Sequence, residues 1–164
     1  MGLWQSSTAE TGDDVAWKAN IVTKAEEAVK IAGEARRVAV LGIAPESRAD
    51  RPAHYVAQSL QDDGVEIVPV PVYYFDVQEI LGEKVYRHLQ DIPHPETIDI
   101  LDVFRRAEDL DPHIPDILEL KPKVVWLQTG ISDRRFEEVV AKAGMKVVPD
   151  RCLKVDRGRA KAKL

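Results

Sequence analysis

Short apolar runs alternate with amphipathic stretches through most of this 164-residue chain. The runs are rich in β-branched residues and almost continuously apolar, which is typical of strands covered on both faces of a sheet. They predict strands at residues 37–42, 65–70, 98–103, 123–128 and 145–148. Between them, apolar residues recur at helical spacing and predict helices at 52–62, 112–120 and 132–143.

Strands that alternate with helices indicate a parallel sheet with right-handed crossovers. The predicted fold class is therefore α/β, a Rossmann-like three-layer sandwich with a mostly parallel sheet of five to six strands. An N-terminal helix, or two, is predicted ahead of the sheet in residues 15–35, ending near Gly33. Residues 69–95 are less regular and predict a single helical turn followed by a short strand or bridge.

The chain divides into three regions by composition. Residues 1–14, rich in Ser, Thr, Gly and Asp, are predicted as a flexible segment, residues 15–156 as one domain, and residues 157–164 as a solvated basic tail. Apolar residues make up 45% of the chain and charged residues 31%, as in an ordinary folded domain.

Charge and cysteine content exclude several classes of function. A net charge of −5 argues against general nucleic-acid binding, which needs a basic face. No apolar run approaches the roughly 20 residues that span a bilayer, so no membrane association is expected. Cys152 is the single cysteine, which excludes an internal disulfide and favours a reducing, cytoplasmic location.

Candidate chemistry lies after the predicted strands, because ligands of doubly wound sheets bind beyond the carboxyl ends of the strands. The first strand ends at Gly42, and a polar loop with Arg48 and Arg51 leads into a helix that begins at Pro52. A helix N-terminus offers unpaired N–H groups and a positive dipole end, and the arginines add full charges. This loop is suited to a phosphate.

Taken alone, Gly42 favours a simple turn over a cofactor loop. The two further glycines of the dinucleotide fingerprint are replaced by Ala44 and Ser47, and no acidic residue closes the second strand to hold a ribose hydroxyl. An NAD(P) site is therefore disfavoured. The other strand ends, which carry Gly, Pro, Arg and Phe, shift the balance toward a ligand that contains a nucleotide.

Several side chains remain open between two roles. Arg105 and the following arginine either bind phosphate or form ion pairs with Asp102, Glu108 or Asp109. Cys152 is either a reactive thiol or a small buried residue. The aromatic cluster at residues 73–75 is either a ligand rim or a subunit contact.

The histidines have no acidic partner placed by spacing, so each is expected to be a surface or structural residue. They are His54, His88, His94 and His113.

At these strand ends the chain resembles the small stand-alone CoA-binding domain proteins, whose fold is like that of the N-terminal domain of the succinyl-CoA synthetase alpha subunit. The resemblance covers about residues 20–156. The segments that carry it are Val40-Leu-Gly-Ile-Ala with Asp50-Arg-Pro, Ile80-Leu-Gly-Glu-Lys-Val-Tyr, Ile100-Leu-Asp-Val-Phe-Arg-Arg, Val125-Trp-Leu-Gln-Thr-Gly-Ile and Val148-Pro-Asp-Arg-Cys-Leu-Lys.

The resemblance implies that coenzyme A or an acyl-CoA lies across the carboxyl edge of the sheet. Gly42, Ile43 and Ala44 would pass close to the phosphates, with Arg51 and Pro52 opening the next helix, and the charge of the loop adds Arg48 to this set. The adenosine side would be lined by Pro71 and Val72, the opposite wall by Val103, Phe104 and Arg105, and the pantetheine arm by Gln128, Gly130, Ile131 and Cys152. Family members commonly have serine where Ala44 stands.

The expected function is a non-catalytic or regulatory module that binds coenzyme A. The chain shows no paired carboxylates, nucleophile–base pair or metal cluster that would support catalysis. The synthetase also needs a second domain that supplies a phosphorylated histidine, so ligase activity is not expected. Two alternatives stay open: an NAD(P)-binding oxidoreductase-type enzyme, and a scaffold subunit that keeps the fold without a ligand. The expected partner is a small nucleotide ligand, with self-association or a protein partner undecided.

Overall fold

A computed structural model describes residues 12–164, except the side chains of Asp13 and Asp14. Most of the predicted flexible segment 1–14 therefore lies outside the described residues. The helices are α1 (Gly12–Ala16), α2 (Ala25–Glu34), α3 (Pro52–Asp62), α4 (Ile114–Leu120), α5 (Arg134–Lys142) and α6 (Leu153–Ala162). The strands are β1 (Arg37–Leu41), β2 (Glu66–Val70), β3 (Glu79–Ile80), β4 (Glu83–Lys84), β5 (Ile100–Val103), β6 (Val124–Leu127) and β7 (Lys146–Val148).

Short 3₁₀ turns connect several of these elements. They are Trp17–Asn20, Glu46–Arg48, Leu89–Asp91, Pro95–Thr97, Ala107–Asp109 and Asp111–His113.

Five strands form one parallel sheet in the order β2-β1-β5-β6-β7. Val38 of β1 pairs with Ile67 on one side and with Ile100 on the other. The chain thus leaves β1 for β2 in one direction and returns to β5 on the opposite side. This arrangement confirms the predicted Rossmann-like α/β fold, and it places the reversal of strand order between β1 and β5.

Helices cover both faces of this sheet and bury two apolar layers. On one face α4 and α5 pack against alternate strand residues, with Leu127 and Phe136 fully buried. On the other face α2, α3 and α6 cover residues such as Val40 and Trp126. Because successive strand side chains alternate between faces, the continuous apolar runs of the sequence supply both layers.

The irregular stretch after β2 forms the β3–β4 hairpin, where a helical turn followed by a strand or bridge was expected. Leu81 and Gly82 both have positive φ, 55° and 73°, as a two-residue turn that matches strand twist requires. Gln61 Nε2 donates to the Leu81 carbonyl over 2.8 Å, and the Leu81 N–H donates to Glu46 over 2.6 Å. These contacts with distant residues select the hairpin, and local helical spacing does not reveal them.

The stretch predicted as a basic tail is largely the second half of α6. Arg157 donates hydrogen bonds to the carbonyls of Ala32 and Ala35 over 2.9 and 3.1 Å, so it caps the end of α2. Asp63 pairs with Arg157 and Lys161 at 3.4 and 2.6 Å. Charged residues that suggested a solvated end therefore hold α6 against α2 and α3.

Candidate functional site

The loops that follow β1 and β5 meet at the point where the strand order reverses. Gly42 has φ 84°, and a Cβ at this position would lie 2.4 Å from the Phe104 carbonyl oxygen. The Gly42 N–H donates to Val70 over 2.8 Å, and the Phe104 N–H donates to Leu41 over 2.9 Å. Only glycine allows the two loops to approach this closely.

A cleft with two lobes opens beside these loops. The lobes share a wall formed by Arg51, Ala53, Phe104, Arg105 and Arg106. The first lobe has a volume of about 440 Å³, and its other lining residues are Pro52, Tyr55, Val56, Gln128, Thr129, Ile131 and Cys152. The second lobe has a volume of about 260 Å³, and its other lining residues are Gly42, Ile43, Ala44, Val72, Tyr73, Tyr74 and Asp109.

Three arginines give the shared wall its positive charge. Arg51 precedes α3, is exposed, and has no ion-pair partner among residues 12–164. The Arg105 side chain is only 14% exposed and lies 5.4 Å above the Tyr73 ring. Arg106 pairs with Asp109 over 2.8 Å, and this hydrogen bond lowers the pKa of the Asp109 carboxyl. In this wall Arg51 is therefore exposed, Arg105 is mostly buried, and the charge of Arg106 is partly neutralised by Asp109.

Ion pairing was one of two roles open to the arginines after β5. Arg106 contacts Glu108 at 3.4 Å as well as Asp109, and Arg105 lies 3.9 Å from Asp109. Asp102 pairs with neither arginine, because it is buried in the sheet and bonds to Gln128.

Two histidines position this wall. His54 is buried, and its Nδ1–H donates to the Ala44 carbonyl over 2.9 Å, which ties α3 to the loop after β1. His113 accepts a hydrogen bond from Arg105 Nε over 3.2 Å. Burial lowers the pKa of His113, and the charge of Arg105 lowers it further. The ring therefore stays neutral and can accept the hydrogen bond from Arg105. Both histidines have structural roles, and the residues that they hold in place, Ala44 and Arg105, line the cleft.

The loops after β6 and β7 form the far side of the first lobe. Trp126 Nε1 donates to the Arg151 carbonyl over 2.8 Å, and the Arg151 N–H donates to Leu127 over 3.1 Å. These bonds hold the neighbouring Cys152 at the cleft, half-buried and at the start of α6. The Arg151 guanidinium itself binds the buried Asp156 carboxylate at 2.6 and 2.7 Å.

A buried carboxyl lies behind this part of the cleft. Asp102 of β5 is fully buried, and Gln128 Nε2 donates to its Oδ1 over 2.6 Å. Burial raises the pKa of Asp102 to about 7, and the hydrogen bond from Gln128 opposes that rise.

The structure brings most of the predicted site residues together. Those that line one or both lobes are Gly42, Ile43, Ala44, Arg51, Pro52, Val72, Phe104, Arg105, Gln128, Ile131 and Cys152. Pro71 lines a separate cavity of about 360 Å³ beside His88 and His113.

Besides Pro71, three further predicted residues lie outside the linings of the two lobes. Arg48 faces Asp50 at 3.9 Å with a side chain that is 41% exposed. Val103 is buried in the apolar layer between the sheet and helices α4 and α5. Gly130 is exposed, and its N–H donates to Asp150 Oδ1 over 2.6 Å.

Sequence reasoning did not assign several lining residues to the site. They are Ala53, Tyr55, Val56, Asp109 and Thr129. Tyr73, Tyr74 and Arg106, whose roles the sequence left open, also line the cleft. Residues 55 and 56 follow Pro52 at helical spacing, so the predicted helix start already implied that they share its face. The Asp102–Gln128 pair had one signal, a carboxylate inside an otherwise apolar strand.

Within residues 12–164, no group of three or more His, Cys, Asp or Glu side chains is arranged to hold a metal ion. Over the same range no helix combines the length and apolar character that crossing a bilayer requires.

The parallel sheet and the cleft at its reversal point define a Rossmann-like α/β protein, a class that binds ligands at this edge. The family model described as CoA binding domain matches residues 36–158. The chain therefore belongs to the CoA binding domain family, which confirms the resemblance found in the sequence.

Individual relatives extend over most of the chain. The uncharacterized protein YneT of Bacillus subtilis (strain 168) is 36% identical over 129 residues, covering 79% of this chain and 90% of YneT. A solved Thermus thermophilus protein, cell-free ID.343, is 38% identical with a TM-score of 0.74, over 84% of this chain and 99% of its own. A hypothetical protein from Pyrococcus horikoshii OT3 is 25% identical with a TM-score of 0.73, over 85% and 93% of the two chains.

Proposed function

We propose that this protein binds coenzyme A or an acyl-CoA in the two-lobed cleft, as a binding or regulatory module. Membership of the CoA binding domain family supports the class of ligand. The observation that carries the proposal is the position of the three arginines, which stand between the two lobes and line both of them. A location in the cytoplasm is part of the proposal and rests on the single free cysteine.

The order of chemical groups along coenzyme A fits the order of surfaces along the cleft. The molecule has an adenosine at one end, phosphates in the middle and a mostly apolar arm with two amides and a thiol at the other end. In the second lobe, Val72 and Tyr73 offer an apolar and aromatic surface to adenine. The arginines suit the phosphates, and the first lobe offers Phe104 and Ile131 to the arm.

An NAD(P) ligand also has phosphates in its middle, so the arginines do not distinguish it from coenzyme A. The distinction must come from the surfaces that would contact the two ends of the ligand. β2 ends at Val70 and continues into Pro71, Val72 and Tyr73, none of which can bind a ribose hydroxyl through a carboxylate. The largely apolar lining of the first lobe suits a flexible arm better than a charged nicotinamide ring. Coenzyme A is therefore the better match.

Isothermal titration calorimetry with coenzyme A, acetyl-CoA, NAD and NADP tests this proposal. We expect binding of the two CoA compounds and weak or no binding of the nicotinamide nucleotides. Arg51→Ala removes a charge-assisted phosphate contact, worth about 1.5–3 kcal/mol, and should weaken CoA binding about tenfold or more. Arg48→Ala should have a several-fold smaller effect, because Arg48 lies outside the cleft lining.

Arg135→Ala is the matched control for loss of one positive charge. Arg135 lies on α5, its side chain is 76% exposed, and it pairs with Asp111 away from the cleft. Its loss should leave CoA affinity unchanged. Binding of NAD or NADP without CoA would favour the enzyme alternative, and no binding of any of the four would favour a scaffold.

Cys152 reports on occupancy of the first lobe. Its thiol lines that lobe and is half-buried, so a bound pantetheine arm would cover it. We expect coenzyme A to slow labelling of Cys152 by an aromatic disulfide reagent about tenfold or more at saturation, because labelling then requires the ligand to leave. Adenosine 3′,5′-bisphosphate lacks the arm and should protect much less. Unchanged labelling with saturating coenzyme A would contradict this placement of the arm.

A further inference from the structure

Asp102 is an unexpected residue at its position in the sheet. It lies in β5 with Val40 and Trp126 as its register partners, and its side chain is fully buried. Oδ1 accepts the hydrogen bond from Gln128, whereas Oδ2 has no hydrogen-bond partner among residues 12–164. A buried carboxyl with one oxygen unpaired is costly, so an apolar residue would be expected here unless the carboxyl has a role.

Gln128 connects this buried carboxyl to the cleft. It follows β6 and lines the first lobe, although only 6% of it is exposed. Its amide nitrogen is bound to Asp102, and its Oε1 has no hydrogen-bond partner within the described part of the chain. The amide therefore turns its nitrogen inward and keeps its oxygen available as an acceptor.

We propose that Asp102 is a positioning residue that sets which end of the Gln128 amide faces the ligand. The proposal rests on the function proposed above, because the ligand is the pantetheine arm of coenzyme A. When Asp102 is ionised it accepts from the Gln128 nitrogen, and Oε1 is free to accept an N–H of the arm. When Asp102 takes a proton from solvent it donates an O–H to Oε1 instead, and the amide turns over to present its N–H groups.

Within residues 12–164, no neighbouring group competes with Asp102 for the proton, because each is uncharged or already has a partner. Its neighbours on β1 and β6, Val40 and Trp126, carry no charge. The buried titratable residue of α3, His54, is bonded to the Ala44 carbonyl, and that of α6, Asp156, is paired with Arg151. The helices also carry Cys152 at the start of α6, half-buried.

The acidic and basic residues of α2 are at most partly buried, and they are Glu26, Glu27, Lys30 and Glu34. They lie on the outer layer of this face, whereas Asp102 lies in the sheet beneath it. Burial, which raises the pKa of Asp102, brings its titration into the range near neutral pH.

Binding of the arm through Gln128 Oε1 favours the ionised form of Asp102. At any pH at which Asp102 is partly protonated in the free protein, binding must therefore release a proton. By linkage, affinity then rises with pH until Asp102 is fully ionised. A residue that only maintained the fold would not couple its proton to the ligand.

The test is calorimetry with dephospho-CoA between pH 5.5 and 8.5, in pairs of buffers with different ionisation enthalpies. This ligand lacks the 3′-phosphate, whose own titration near pH 6 would obscure the result. For the unaltered protein we expect a rise in affinity of about three- to tenfold across this range, as one hydrogen bond would give. We also expect release of a fraction of a proton near pH 7.

Asp102→Asn keeps the shape and the hydrogen bond but cannot titrate. It should bind dephospho-CoA with an affinity that is constant over this range and with no proton release. Gln128→Met leaves Asp102 in place and removes the amide, so it should also lose the pH dependence and bind more weakly at pH 8. Arg135→Ala should retain the pH dependence of the unaltered protein.

The same pH dependence and proton release in Asp102→Asn or Gln128→Met would overturn the inference. Binding by the unaltered protein that does not depend on pH would overturn it as well, while leaving the proposed function intact. No binding of dephospho-CoA or coenzyme A at any pH would overturn the proposed function and this inference with it.

Discussion

Gly42 joins the two sides of the cleft because it has no side chain. A methyl group there would meet the Phe104 carbonyl oxygen at 2.4 Å, and φ is 84°. We expect Gly42→Ala to lower the free energy of unfolding by about 3 kcal/mol or more, from backbone strain and overpacking together. Urea denaturation monitored by tryptophan fluorescence measures this loss.

Gly64→Ala is the matched control for Gly42→Ala. Gly64 has nearly the same φ, 88°, but nothing lies within 4 Å of its added Cβ. It should therefore show only the strain of the left-handed backbone, about 1–2 kcal/mol. Equal losses in the two variants would mean that the approach of the two loops has no energetic role.

Asp102 predicts an unusual dependence of stability on pH. Its pKa is about 7 in the folded protein against 3.8 for an ordinary aspartate, so the folded state binds the proton more tightly. The contribution to stability is fully present below about pH 4 and is lost as pH rises through about 7. Three pKa units at about 1.4 kcal/mol each give a loss on the order of 4 kcal/mol.

Asp102→Asn isolates this contribution. Carboxyls with lowered pKa values, such as Asp99 and Asp109, change stability in the opposite direction in acid, but they are common to both proteins. The unfolding free energy of the variant relative to the unaltered protein should therefore increase between pH 4.5 and 8. A difference that stays constant over this range would show that Asp102 does not titrate as proposed.

Single residues differ in how far the sequence reveals their roles. Gly42 and Phe104 follow apolar strands directly, and Arg51 stands just before a helix that begins at a proline, so the local pattern was enough to select all three. Asp102 could not be interpreted in the same way, because its partner Gln128 is 26 positions later and the pairing depends on strand register. Arg48 and Gly130 lie at strand-end loops, yet loop conformation directs them away from the cleft lining.

At the scale of elements, close packing of α6 against α2 gives a second matched pair. A Cβ on Gly33 of α2 would lie 2.6 Å from the Ala160 Cβ of α6, whereas a Cβ on Gly158 of α6 would meet nothing within 4 Å. Gly33→Ala should destabilise by about 1–3 kcal/mol, since overpacking outweighs the gain in helix propensity. Gly158→Ala should stabilise by about 0.5–1 kcal/mol.

Thermal and urea unfolding of both variants measure the two effects. Stabilisation by Gly33→Ala would show that the two helices separate easily, and that α6 is closer to the solvated tail expected from its composition. Destabilisation by Gly158→Ala would show that its surroundings are more crowded than the structure indicates.

Elements with strong local signals were predicted closely, and elements specified by distant partners were not. The predicted helix 52–62 coincides with α3, which begins at a proline, and the predicted strands overlap the five strands of the sheet. Residues 157–162 look like a tail because their apolar content is low. They form a helix because Arg157 and Lys161 find partners on α2 and α3.

At the scale of the whole molecule, alternation of strands and helices was enough to predict the fold class but not the order of the strands. Right-handed crossovers allow the chain to add β5 on either side of the first two strands. The observed order places β5 beside β1, and this choice brings Gly42 and Phe104 together and creates the cleft. The location of the site is thus a property of topology rather than of any one motif.

A ligand in this cleft would contact loops after several strands, so it should stabilise the entire domain. The linings of the two lobes come from the loops after β1, β2, β5, β6 and β7. A ligand that binds only the folded protein adds about 2.7 kcal/mol at a concentration of one hundred times Kd. For a domain of this size that corresponds to a rise in Tm of about 5–10 °C.

Differential scanning fluorimetry with coenzyme A at increasing concentration measures this rise. Because the added free energy grows with the logarithm of ligand concentration, Tm should continue to increase above saturation. Arg51→Ala should need at least about ten times more ligand for the same rise, in line with the loss of one charge-assisted contact. NAD at the same concentrations should leave Tm nearly constant, and an equal rise with NAD would mean that the cleft recognises phosphates in general and not coenzyme A.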